Sequence, residues 1–180
     1  MITCDICGYP HTHPLGITFD DKNICSGCIT HHEKYDLKWY QRSLLLKNIV
    51  SEYKGKYTYD CIVPVTGGGD SYYTVFYVKY VLKLNPLCVH YNSLYMNRIG
   101  HRNLSNLRSQ FNVDIHTHIP SLEQVRELNR ATLYSFNSMY WHVHAGTTSL
   151  PVQIALKYRI PLIIWGSHEA VEQVGMYSHD

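Results

Sequence analysis

Asp60-Cys61-Ile62-Val63-Pro64-Val65 runs directly into Thr66-Gly67-Gly68-Gly69-Asp70-Ser71, an apolar segment of strand length that breaks into three glycines, an acid and a hydroxyl. A loop that wraps an anion needs positive φ angles and close backbone approach, and glycine takes both without a Cβ penalty. Thr66 and Ser71 add hydroxyl donors. If Ser71 opens a helix, the free N–H groups and positive end of its first turn also face the anion. The stretch therefore reads as a loop that cradles a nucleotide phosphate. It is not a Walker A loop, because the GxxxxGK(S/T) pattern is absent and no lysine stands where that motif puts one. Taken locally, the same string also reads as a β-hairpin: Cys61–Val65 and Ser71–Val78 are both rich in β-branched and aromatic residues, and a glycine-rich turn between such runs is a hairpin signal. The surrounding sequence has to decide between the two.

A chain of 180 residues with 45% apolar content suits one domain plus a small appendage. A formal charge of +2 with 17% charged residues argues against a strongly basic nucleic-acid surface, although twelve histidines add charge in acid. No segment reaches the roughly 18 apolar residues of a membrane span, and the N-terminus lacks a signal-peptide core. A cytoplasmic protein without a membrane partner is expected. Sixteen tyrosines are unusually many, and the sequence offers no functional account of them.

Cys4-Asp-Ile-Cys7 and Cys25-Ser-Gly-Cys28 form two CxxC knuckles separated by 17 residues. That spacing belongs to four-cysteine zinc sites, in which two tight turns present paired thiolates tetrahedrally. Disulfides and unpaired core thiols are the alternatives, and a reducing cytosol disfavours the first. Rubredoxin-like iron ligation shares the spacing. His11, His13, His31 and His32 stand nearby as substitute ligands, but four cysteines complete the sphere, so the metal is expected to be structural. Residues 1–35 are thus read as a zinc ribbon and 36–56 as a linking helix, with Tyr40, Leu44, Leu45, Ile49 and Tyr53 on its apolar stripe.

The segment after the glycine loop, 71–84, is apolar almost all round and reads as a buried helix or a long strand. Beyond it, 86–92 reads as a buried strand, 103–111 as a helix, 113–117 as a strand, and 121–139 as a helix with a Ser121 cap. The last two elements are a helix over 150–158 and a fully apolar strand over 161–166. Continuous apolar strands alternating with helices predict βαβ units in a parallel sheet covered by helices on both faces, here over 57–180. The glycine loop then lies at the carboxyl end of the first strand, where such sheets bind ligands.

Thr66-Gly-Gly-Gly-Asp-Ser71 resembles the SGGxDS signature of PP-loop ATP pyrophosphatases, which implies an adenine nucleotide alpha hydrolase-like fold. Together with the paired knuckles, Gly16-Ile-Thr-Phe-Asp20, Tyr59-Asp-Cys-Ile-Val63, Pro86-Leu87 and Ile160-Pro-Leu-Ile-Ile-Trp-Gly166, it resembles the N-acetyl sugar amidotransferases of bacterial surface-polysaccharide (LPS O-antigen) and flagellar sugar pathways. The resemblance covers nearly the whole chain. It implies that ATP, with Mg2+, adenylylates the acetamido oxygen of a nucleotide-linked N-acetyl sugar, that ammonia attacks the carbon, and that AMP leaves an acetamidino group. It further implies a glutamine-hydrolysing subunit and an ammonia-channel companion as partners, since no glutaminase-like stretch is visible.

By the same resemblance Thr66, Gly67, Gly68, Gly69, Asp70 and Ser71 bind the pyrophosphate end of ATP, while His90 and Asn92 close the second strand on the adenosine side. His142, His144 and Gly146 fall in what looks like a second nucleotide-side loop. Asp70, Ser71 and His144 are the candidate catalytic residues. Asp70 reads as a magnesium ligand or as a helix N-cap, and His144 as a catalyst or a structural histidine. Arg98, His101 and Arg102 are expected in a loop on the ligand side of the sheet, meeting a nucleotide-sugar phosphate or only solvent. Cys61 and Cys88 read as small core residues. The chain departs from the family in carrying Gly69 where a lysine is usual, and in being shorter. Two other readings share the motifs. A tRNA-thiolating PP-loop enzyme would bring more cysteines and a basic surface. A non-catalytic nucleotide-binding scaffold would keep the ribbon without the lysine.

Overall fold

The computed structural model describes residues 2–12 and 16–167. They fall into two compact units, one ending at Leu45 and one spanning Leu46–Gly166. None of the described helices is long and apolar enough to cross a membrane.

The first unit is built on two tight turns. The Cys4 carbonyl accepts from Gly8 N–H at 2.8 Å, and the Asp20 carboxylate accepts from the N–H groups of Lys22 and Ile24 at 3.0 and 2.8 Å. Isolated antiparallel bridges join Thr3 to Pro10 and Phe19 to Cys25. Helix α1 (Ser26–His32) follows, with Cys25 as its N-cap. Helix α2 (Trp39–Ser51) carries the chain into the second unit. The expected stripe on α2 is corrected: Tyr40, Leu44, Leu45 and Ile49 are exposed, whereas Leu46 and Val50, one turn apart, pack into the second unit's core. Helical period identified a helix there, but several of its apolar residues lie off the contacting face.

The second unit holds three parallel strands, β1 (Cys61–Pro64), β2 (Pro86–Tyr91) and β3 (Asp114–His118), in the order β1-β2-β3. Cys61 pairs with Pro86 and Val63 with Cys88, and Leu87 to Tyr91 pair with Asp114 to His118. On the other edge of β1, Ile62 N–H donates to the Leu162 carbonyl at 2.8 Å and the Ile62 carbonyl accepts from Ile164 N–H at 2.9 Å. The expected last strand is thus a single parallel bridge, Ile62 to Ile163. Parallel pairing and the helix that follows the glycines remove the hairpin reading.

Helices cover both faces, as the unbroken apolar strands require. On one face Cys61, Val63, Val65 and Cys88 pack with Val75, Val78, Leu107 and Phe111. These come from α3 (Gly69–Phe76), the π turn Tyr77–Val81 and α4 (Arg98–Phe111). On the other face Ile62, Leu87 and Val89 meet Leu150, Ile154 and Ala155 of α6 (Trp141–Tyr158). Helix α5 (Leu122–Phe136) starts at the expected Ser121 cap, whose hydroxyl accepts from Gln124 N–H at 3.1 Å.

Three element boundaries differ from the sequence expectation for identifiable reasons. Helix α3 opens at Gly69 rather than Ser71, with Gly68 as N-cap. Helix α4 opens five residues early because the Asn97 side chain caps it, accepting from Gly100 N–H at 2.8 Å. Helix α6 opens at Trp141, nine residues before the expected start at 150, and runs through Gly146, Thr147 and Thr148, which read as a loop. Thr147, Thr148 and Ser149 hydroxyls instead bond back to the carbonyls of Val143, His144 and Ala145 within 2.9 Å.

Asp60 ties the entries of β1 and β2 together. Its carboxylate is 5% exposed and accepts from Gly55 N–H at 2.6 Å and Asn85 N–H at 2.7 Å. Replacing Asp60 with alanine strands two amides, and urea denaturation is expected to show a loss of about 2–3 kcal/mol.

Candidate functional site

The glycine loop sits at the carboxyl end of β1. Gly67 has φ +84°, and a Cβ there would stand 3.1 Å from the backbone nitrogen of Leu104 on α4, so conformation and space both require glycine. Thr66 N–H donates to Ser71 Oγ at 2.9 Å, and Gly68 N–H to Thr66 Oγ1 at 3.4 Å. The first amide to bond back into α3 is that of Tyr72, to the Gly68 carbonyl at 3.2 Å. The N–H groups of Gly69, Asp70 and Ser71 are therefore left at the open end of α3, where its dipole is positive. This arrangement can hold an anion. Ser71 Oγ locks the loop, and Asp70 is an exposed first-turn residue rather than the N-cap.

His90 stands beside the loop on β2. It is 2% exposed, and its Nδ1–H donates to the Val65 carbonyl at 2.9 Å. The lone pair is then on Nε2, which is buried without a partner among the described residues. Burial holds its pKa below the usual 6.5 against the opposing pull of the Val65 hydrogen bond, so the ring is neutral at neutral pH. Asn92 follows β2: its N–H reaches the His118 carbonyl and its side chain accepts from Leu94 N–H, both at 2.9 Å.

The expected loop over 142–148 is corrected, because these residues are the first turns of α6. Gly146 supports the Tyr91 ring, which a Cβ there would meet at 2.4 Å. His142 is 2% exposed between two tyrosines, Nδ1 at 3.2 Å from Tyr91 Oη and Nε2 at 3.4 Å from Tyr95 Oη. Burial lowers its pKa as well. His144 is exposed. Arg98, His101 and Arg102, expected in a loop, occupy the start of α4. The Tyr91–His142–Tyr95 network carried no sequence signal, since its members lie 47 and 51 residues apart along the chain.

In the first unit the sulfurs of Cys4, Cys7, Cys25 and Cys28 all lie within 4.8 Å of one another. Cys4 to Cys28 is 3.8 Å and Cys7 to Cys25 is 3.6 Å. Four sulfurs about 2.3 Å from a central ion form a tetrahedron with edges of about 3.8 Å, whereas a disulfide requires about 2.0 Å. The donor set fits a thiolate-bound metal. Burial and then the neighbouring sulfurs push the Cys28 thiol up, a conflict that a cation at the centre relieves. Burial also raises Cys4, but the N–H groups of Cys25, Cys7 and Ile6 outweigh it and bring that thiol down to about 6. His13, weighed as a substitute ligand, lies outside the described residues.

No family model matches the chain. It is 31% identical over 115 residues to an uncharacterized protein of Methanocaldococcus jannaschii, a match covering 62% of this chain and 40% of the relative. The chain thus spans about two fifths of that relative's length. Among solved structures, the NH3-dependent NAD synthetase of Campylobacter jejuni in complex with nitrate superposes with a TM-score of 0.50 at 16% identity, over 74% of this chain and 58% of that one. The U34-tRNA thiolase NcsA of Methanococcus maripaludis, with its four-iron, four-sulfur cluster, gives 0.45 at 13% identity, over 95% and 55%. NMN synthetase of Francisella tularensis gives 0.41 at 19%, over 68% and 52%. The likeness to the Campylobacter jejuni structure shows the fold alone: a parallel sheet with helices, preceded here by a four-cysteine cluster that can hold a metal.

Two outcomes follow from the buried groups. Burial pushes Cys61 and Cys88 up to about 12. A strong chelator should therefore open four thiols to maleimide at neutral pH, while these two react only after denaturation. His90 and His142 have folded pKa values below their unfolded 6.5, so the unfolded state binds protons first. Stability should be full above that value and fall as pH drops through it, and His90→Asn or His142→Asn should flatten the fall in thermal melts recorded across pH.

Proposed function

We propose that this chain is the ATP-binding part of an amidotransferase acting on a nucleotide-linked N-acetyl sugar. The observation that carries the reading is the glycine loop at the carboxyl end of β1, with the amides of Gly69, Asp70 and Ser71 at the positive end of α3. An amide oxygen is a poor leaving group, and adenylylation turns it into a good one. The acetamido oxygen attacks the α-phosphorus of ATP and pyrophosphate leaves; ammonia then adds to the carbon, and the C–O bond breaks to release AMP and the acetamidino sugar. In this reading Thr66 to Ser71 hold the phosphates and Asp70 helps hold Mg2+, whose chemistry is charge neutralisation on the phosphates. His90 and Asn92 border the adenosine, while Gly146 and His144 reach the site from α6. Cys4, Cys7, Cys25 and Cys28 hold a structural Zn2+. A glutamine-hydrolysing subunit and an ammonia-channel companion supply ammonia, in the cytoplasm.

The thiolation alternative fares worse on the described residues. Cys61 and Cys88 are the only cysteines beyond the ribbon, and both are fully buried with raised pKa values, which ill suits sulfur transfer. The test is isotopic. With ATP, Mg2+, an ammonium salt and a nucleotide-linked N-acetyl sugar carrying heavy oxygen in its acetamido group, the label should appear in AMP. Release of AMP with no label in it would contradict adenylylation of that oxygen.

A further inference from the structure

The glycine loop carries no cation, and the start of α4 carries three basic residues that nothing in the helix explains. Arg98, His101 and Arg102 stand in its first two turns, and no acid accompanies them in the first. Positive charge at a helix N-terminus opposes the dipole, and like charges four residues apart repel, so the arrangement is unfavourable until an anion binds. Among the described residues neither guanidinium has an ion-pair partner. Both, with Ile99, line an open cavity of about 350 Å³.

This helix is also a wall of the phosphate loop. Gly67 abuts the backbone of Leu104, and Tyr72 Oη donates to the Asn103 carbonyl at 2.7 Å. On the same side of the sheet lies the independent sign of a ligand: His90 is 2% exposed and, among the described residues, its Nε2 acceptor has no partner. Its Nδ1–H is spent on Val65, the residue before the loop.

We propose that the first turns of α4 complete the phosphate site, with Arg98 and Arg102 holding the outer oxygens of a nucleoside triphosphate and supplying the charge that Gly69 leaves off the loop. The assignment rests on the ATP-binding reading given above. A nucleoside triphosphate brings both missing partners, an anion for the guanidinium pair and a hydroxyl donor for His90. Among the described residues a Cβ at Gly69 meets nothing within 4 Å, so the loop has room for a lysine side chain there.

The experiment is calorimetric titration of the metal-loaded full chain with magnesium and a non-hydrolysable ATP analogue, and separately with adenosine. It uses the parent, Arg98→Ala with Arg102→Ala, and that pair combined with Gly69→Lys. Both arginines are exposed, so the variants should fold. The paired variant should weaken analogue binding by about 10- to 100-fold, leave adenosine binding unchanged, and flatten the salt dependence; Gly69→Lys should restore much of the affinity. Unchanged analogue affinity on a parent that binds, or equal weakening toward adenosine, overturns this assignment alone. A parent that binds no analogue removes the assignment together with the ATP reading.

Discussion

A loop can offer its amides to an anion only if those amides are not already holding the loop together. That constraint organises the second unit. Side chains and neighbouring elements fix the glycine loop instead: Ser71 Oγ takes Thr66 N–H, Thr66 Oγ1 takes Gly68 N–H, and the Val65 carbonyl takes His90. The close approach of Gly67 to Leu104 fixes the loop's position against α4. What is left over is the set of first-turn amides of α3, at the carboxyl end of a strand buried on both faces. Close packing there leaves little slack. Gly146 lets Tyr91 seat beneath α6, and Gly166 approaches Thr74 so closely that a Cβ would stand 2.4 Å from its hydroxyl.

The two units meet their energetic needs differently. The sheet unit buries Ile62, Val63, Val75, Val78 and Leu107 completely, an ordinary apolar core. The first unit buries little beyond Cys4, Cys25 and Cys28, with Ile17, Phe19 and Ile24 half-covered around them. Four sulfurs at tetrahedral spacing stand where a core would be. A metal held there would supply the cohesion that so few apolar side chains do not.

Much of this was legible from residues. The paired knuckles and the break from Val65 into three glycines are local patterns with a definite chemistry, and the apolar runs over 61–65 and 86–91 gave the parallel sheet because strands buried on both faces do not alternate. The misreadings share a cause. Gly146 and Thr147 look like loop residues, yet α6 takes them in because three hydroxyls bond back to its carbonyls and Tyr91 needs the space at Gly146. Asn97 is a good cap, but its helix was masked by the basic residues that follow. On α2, periodicity marked a helix but not which of its apolar residues would be covered, and Leu46 and Val50 were the ones. Contacts such as Tyr95 to His142 arise only from tertiary folding and had no local trace.

The central claim is that the glycine loop binds a nucleotide by its phosphates. The direct measurement is calorimetric titration of the metal-loaded protein and of Gly67→Val with magnesium and a non-hydrolysable ATP analogue, after circular dichroism has shown that both are folded. Valine at a φ of +84°, 3.1 Å from the Leu104 backbone, distorts the loop without touching the ribbon. Binding by the parent that the variant loses is the predicted result; equal binding by both, or by neither, would contradict it.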